Sequence, residues 1–242
     1  MIYFLLAPLL TINGILIGTA VIPAALLMVK VYHSDRLEKE SSGIIWNMIT
    51  AGVLSTLLAL FEERAGAFVI SLFAQEGSVL YNVLLYFGVV ACAEESSKYI
   101  LMKKRSWNSR EFNCQYDGLV YAVFTSLGFA LWENIEYVLS FGFGTAIIRA
   151  VTAIPGHACF GVFMGVFYGA AKKWSNAGYE DRSKICRVLA VIVPVLLHGA
   201  YDYIATMGGG GATVIFLVFI AILFTISFIV VKNASKTDRY IA

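Results

Sequence analysis

Seven stretches of this chain are each long and apolar enough to cross a bilayer: residues 2–30, 44–61, 79–101, 117–140, 145–171, 186–206 and 212–231. A spanning helix needs roughly 20 predominantly apolar residues, and hydrocarbon forces the backbone to satisfy its own polar groups. Composition agrees: hydrophobic residues make up 59% and charged residues 14%, against about a quarter charged in a soluble domain. The expected fold class is all-α, a polytopic membrane helical bundle of about seven transmembrane helices. No soluble domain, repeat or long linker interrupts it, so residues 1–242 read as one membrane-embedded unit. The first run has no basic residue ahead of it and so lacks the leading charge of a signal peptide. It reads as a retained span, tilting or breaking near Pro23.

Lys and Arg in the short connections set orientation. Lys30, Arg36 and Lys39 follow the first span; Lys103, Lys104, Arg105 and Arg110 follow the third. Lys172, Lys173, Arg182, Lys184 and Arg187 follow the fifth, and Lys232, Lys236 and Arg239 lie in the tail. The alternate connections hold Arg64 and no other basic residue. The bias places the N-terminus outside and the C-terminus in the cytosol of a plasma membrane. A net charge of +2, from few basic residues confined to loops, argues against a nucleic-acid partner. Cys92, Cys114, Cys159 and Cys186 show no CxxC spacing and read as buried or reduced thiols.

Charged and strongly polar groups within spans need a reason, because a charge at mid-bilayer costs at least ~2.5 kcal/mol and must face a cavity or a partner. They are Glu94, Glu95 and Lys98 in the third span, Glu133, Asn134 and Glu136 in the fourth, Arg149 and His157 in the fifth, His198 and Asp202 in the sixth. Spans one, two and seven contribute nothing comparable. At about 1.5 Å per residue, Glu94 lies roughly 13 Å from the cytosolic edge, His198 roughly 17 Å, and His157 and Glu133 roughly 23 Å. These depths let the groups meet. Lys98 follows Glu94 by four residues and Glu95 by three, within reach of either. Phe129, Glu133 and Tyr137 share a helical stripe, and His198 and Asp202 share a face on which a carboxylate orients an imidazole. Pro155 and Pro194 lie just ahead of the two histidines, where kinks would admit water.

Each group alone has a structural reading. A buried Glu–Lys pair is often a packing device, a span histidine is more often a satisfied core group, and Asn134, Tyr137 and Arg149 read as interhelical glue. Three Glu, two His and one Asp at similar depth point instead to a site. Carboxylates with raised proton affinity and neutral imidazoles suit the activation of water against a peptide carbonyl. The chain lacks HExxH, the GxGD of paired-aspartate proteases, an in-span GxSG serine, and a lysine in the seventh span.

The ordered set "EESSK" (94–98), "FALWEN" (129–134), "HACFG" (157–161) and "HGAYD" (198–202) resembles the PrsW family of bacterial intramembrane proteases, relatives of the glutamate-type CAAX-processing and Abi membrane proteases. The resemblance covers residues 90–205, and the expected catalytic core is about 79–206. It implies that Glu94 or Glu95 activates water and that His157 and His198 complete the site. Glu133 and Asp202 are further catalytic candidates, with Lys98, Asn134 and Tyr137 in support. It also implies a first, outside-facing cut in a single-span anti-sigma factor within a stress response, with membrane lipid as the surrounding partner. Two cofactor readings stay open. A zinc ion would take His157 and His198 with Glu133, Asp202, Glu94 or Glu95 as the carboxylate. Without a metal, one Glu takes the proton itself; the missing compact two-His motif and the glutamate-type relatives favour this second reading. The rival function is a small transporter or proton-coupled channel, since in-span Glu, His and Asp also form proton relays; no matching halves support it. A silent scaffold for client membrane proteins is a third reading.

Overall fold

The structure is a computed structural model that describes the backbone over residues 2–241 and the side chains from residue 21 onward, with a few before that. Among the described residues nine helices follow in order: α1 (Ile2–Ser34), α2 (Ser42–Ser71), α3 (Val79–Val83), α4 (Ala91–Ser106), α5 (Asp117–Phe141), α6 (Phe143–Val151), α7 (Ala153–Asn176), α8 (Glu180–Thr206) and α9 (Gly210–Lys236). Seven segments are long and apolar enough to span a membrane. This is the all-α bundle expected from the sequence.

Three boundaries differ from the expectation, each for a local reason. The second span does not stop at residue 61: α2 continues through Glu62, Glu63 and Arg64 to Ser71, ten residues further. A charged triplet closes the apolar run that marks the span, but nothing in it breaks a helix. The third span is α3 and α4 joined by Leu84–Val90, which is wound more widely, the Ala91 N–H reaching back to the Tyr86 carbonyl. The fifth span is broken at Thr152 (φ −120°), which separates α6 from α7. Pro155 therefore lies in the first turn of α7, where a missing N–H is tolerated, and does not kink a continuous helix. Pro194 lies inside α8, and α1 runs unbroken past Pro23.

Helix α5 is the hub, with α2, α4 and α7 packed around it and four-fifths of its most apolar window buried. Its approach to α7 depends on Gly161, Gly165 and Gly169, one turn apart along α7. A β-carbon on Gly165 would run into the Leu119 backbone, and one on Gly169 into the Gln115 carbonyl. Small residues at this spacing let backbones close to contact, the usual basis of helix association in lipid. That closeness brings Glu133 of α5 against His157 of α7.

At the end of the bundle where α1, α4, α7 and α9 terminate, the tail straps the α4–α5 loop. The Gln115 N–H donates to the Arg239 carbonyl at 3.0 Å, and the Ile241 N–H to the Asn113 carbonyl at 2.7 Å. Lys172 donates to the Trp107 carbonyl at 2.8 Å. The basic connections thus gather at one end.

Candidate active site

Lys98 is the centre of the site. Its ammonium is fully enclosed and donates to Glu94 Oε2 at 3.1 Å and Glu95 Oε1 at 2.7 Å. The helical spacing of the three residues on α4 makes both bonds available to one lysine. A third neighbour is His157 Nδ1 at 3.2 Å, and the face of the Phe129 ring lies 3.9 Å away. One cation is thereby held between two carboxylates, an imidazole and a ring.

The two histidines arrive from α7 and α8, their ring centres 5.2 Å apart and nearly perpendicular. His198 stacks on Phe160 at 4.7 Å. His157 Nε2 meets Glu133 Oε2 at 2.9 Å, and His198 Nε2 meets Asp202 Oδ2 at 3.3 Å, one turn along α8. Each imidazole thus has a carboxylate behind its Nε2, which orients the ring and leaves Nδ1 facing the centre. His198 Nδ1 lies 2.9 Å from Glu95 Oε1. A neutral imidazole carries one N–H, yet His198 stands between two carboxylates. Satisfying both requires a second proton or a cation on the Nδ1 side.

A cavity of about 480 Å³ opens onto this cluster from the side opposite the basic loops. Glu94 borders it; Glu95 is fully enclosed, and its Oε2 has no hydrogen-bond partner among the described residues. Around its wall stand Phe129, Glu133 and Tyr137, the stripe read from α5. Arg149 of α6 closes the far side. Its Nη2 lies 2.8 Å from Glu133, its Nε donates to Asn134 Oδ1 at 2.9 Å, and its guanidinium covers the Tyr137 ring at 4.0 Å. Asn134 and Tyr137 therefore act on the site through Arg149, as links between α5 and α6. Glu136 sits at the outer edge, accepting from the Trp132 indole at 3.0 Å.

The structure brings Glu94, Glu95, Lys98, Glu133, His157, His198 and Asp202 together. It adds Glu63, which the truncated second span had placed in a loop. Thr56, Leu60 and Glu63 fall at i, i+4 and i+7 on α2 and line the same cavity. Extending the helical register of "TLLALFEE" past residue 61 would have found it. The expectation that span two contributes nothing is corrected accordingly.

Among the described residues, Glu63, Glu94, Glu95, Glu133, Glu136 and Asp202 face two fixed cations, Lys98 and Arg149. So many carboxylates in an apolar setting call for more positive charge. Ligand atoms of Glu94, Glu95, His157 and His198 lie within 4.8 Å of one another, a nitrogen-and-oxygen donor set of the kind zinc takes. The unsatisfied Glu95 oxygen and the double-carboxylate setting of His198 fit a cation here, and Lys98 holds part of that role.

The sequence profile of the "PrsW family intramembrane metalloprotease" matches residues 40–231. The chain is 32% identical over 221 residues to Protease PrsW of Oceanobacillus iheyensis, covering 91% of this chain and 96% of that one. It is 30% identical over 224 residues to Protease PrsW of Halalkalibacterium halodurans, covering 93% and 99%. Against Protease PrsW of Bacillus subtilis identity is 29% over 192 residues, covering 79% and 83%. No solved structure matches the chain.

Proposed function

This chain belongs to the PrsW family of intramembrane metalloproteases, a multi-pass bacterial membrane protease, and from that premise we propose how its site works and on what. The substrate is a membrane-anchored protein with a single span, an anti-sigma factor, cut on the outer side as the first step of a stress response. What carries the reading is the enclosed Glu94–Glu95–His157–His198 cluster at the floor of a cavity opening away from the basic loops. With those loops in the cytosol, the cavity faces the outer half of the membrane. A transporter reading would use the same in-span Glu, His and Asp but lacks the matching halves expected of one.

The family description favours a metal over the metal-free mechanism expected from the sequence. Glu95, His157 and His198 are the residues that would hold a zinc ion, with Glu94 adjoining. Zinc when bound supplies a Lewis acid and lowers the pKa of its water to about 7. Glu94, the carboxylate of the pair that borders the cavity, takes the proton from the attacking water. It then delivers that proton to the leaving amine. Asp202 and Glu133 fix the tautomer and direction of the imidazoles. Lys98 keeps the two adjacent carboxylates together in a site neither would occupy unpaired. Arg149, tied to Glu133, Asn134 and Tyr137, positions the cavity wall where the substrate backbone would lie.

The test is incubation of purified protein in proteoliposomes with candidate single-span proteins, followed by mass mapping of the fragments. Cleavage in the outer half of the span, or just outside it, is expected for an anti-sigma factor. Cutting confined to the cytosolic flank would overturn this assignment.

A further inference from the structure

A second cavity, of about 500 Å³, lies on the opposite face of α7 from His157, in the crevice between α1 and α9. Its floor is Pro155, Ala158, Cys159 and Val162 of α7, the turns that flank His157. Its walls are apolar, and along α9 it runs from Phe224 to Ser235, about 16 Å at 1.5 Å per residue. That is close to the ~15 Å of one hydrocarbon leaflet. At the end bearing the basic loops its rim changes character: Lys30, His33 and Arg36 from one side and Lys232 from the other, with Ser34 and Ser235 between. No acidic side chain among the described residues lines it. Lys30, Arg36 and Lys232 make no ion pair among those residues; Lys30 lies over the Phe228 ring at 4.9 Å, bridging the mouth.

We propose that this crevice is a binding site for an anionic phospholipid, with the headgroup phosphate among Lys30, Arg36 and Lys232 and an acyl chain in the slot against α7. Charge complementarity selects the occupant. A substrate helix has no phosphate to place at the rim, and a zwitterionic lipid offers the same tails with less net charge. Basic pockets between helices at the cytosolic side suit anionic headgroups. The occupant would fill a gap beside the helix that carries His157.

The test is native mass spectrometry of detergent-purified protein titrated with dioleoylphosphatidylglycerol or dioleoylphosphatidylcholine. Three basic groups predict roughly tenfold or greater preference for the glycerol lipid. Lys30→Gln with Lys232→Gln should abolish the preference, and the double Arg variant should keep it. Lys104→Gln with Lys173→Gln, which removes the same charge elsewhere on that side, should leave it intact. Ser227→Trp, which fills the slot, should lower retention of both lipids without altering the rim. Equal binding of the two lipids, equal loss in both Gln pairs, or displacement by millimolar inorganic phosphate would overturn the proposal. So would a dimer sealed across this face.

Discussion

Glu40 carries the clearest pH signal outside the spans. Burial, and then the charge of Asp117, push its carboxyl from 4.5 up to about 9. It accepts from Tyr121 at 2.9 Å. A folded-state pKa above the unfolded one means that the group's stabilisation is complete below about 4.5 and is lost as pH rises through about 9. Melting temperature should therefore fall over that window, and Glu40→Gln should flatten the fall in a scan of thermal unfolding against pH. A steeper fall would contradict the assignment. Within the site, Lys98→Met should act on folding before it acts on chemistry. Removing it leaves Glu94 and Glu95 side by side without the cation they share, which costs on the order of 3–5 kcal/mol and should appear as lost yield of monodisperse protein. A metal readout separates the histidines from mere packing groups. If the cluster holds a metal, His157→Ala and His198→Ala should each lower its stoichiometry in elemental analysis while helicity is retained. Of these residues, the sequence made Glu94, Glu95, Lys98, His198 and Asp202 legible, because one helical turn links each to a partner. The pairing of His157 with Glu133, and the ring of Lys98 contacts across α5 and α7, depend on distances no spacing encodes.

Helix boundaries were less legible than helix existence. Hydropathy finds an apolar core but ends it at the first charges, so Glu62 and Glu63 were lost from α2 and Glu63 with them from the cavity. The break at Thr152 has no proline or glycine at the break itself to announce it. The α5–α7 contact was likewise hidden, although "GVFMGVFYG" carries glycine at 161, 165 and 169. It places Glu133 beside His157, so Gly165→Leu should separate the pair. The expected outcome is a melting temperature lower by several degrees together with loss of cleavage. Unchanged stability and activity would show that the close approach is not needed.

At the scale of the molecule, the alternation of basic loops corresponds to one end of the bundle, where the tail, the α4–α5 loop and the end of α7 are bonded together. Which side of the membrane that end faces is tested by reporters. Fusions after residues 39, 108 and 178 and at the C-terminus should report cytosol, and one near 76 the outside. An extracytoplasmic C-terminus would turn the cavity to the wrong face for an outside cut. The central claim is that the enclosed Glu–His cluster hydrolyses a peptide bond. It is tested most directly by the cleavage rate of a single-span substrate in proteoliposomes, comparing the unaltered protein with Glu94→Gln. Loss of a general base predicts a fall of about 10²–10⁴-fold with helicity and melting temperature preserved. A Glu94→Gln protein that cuts within twofold of the unaltered rate would contradict the account.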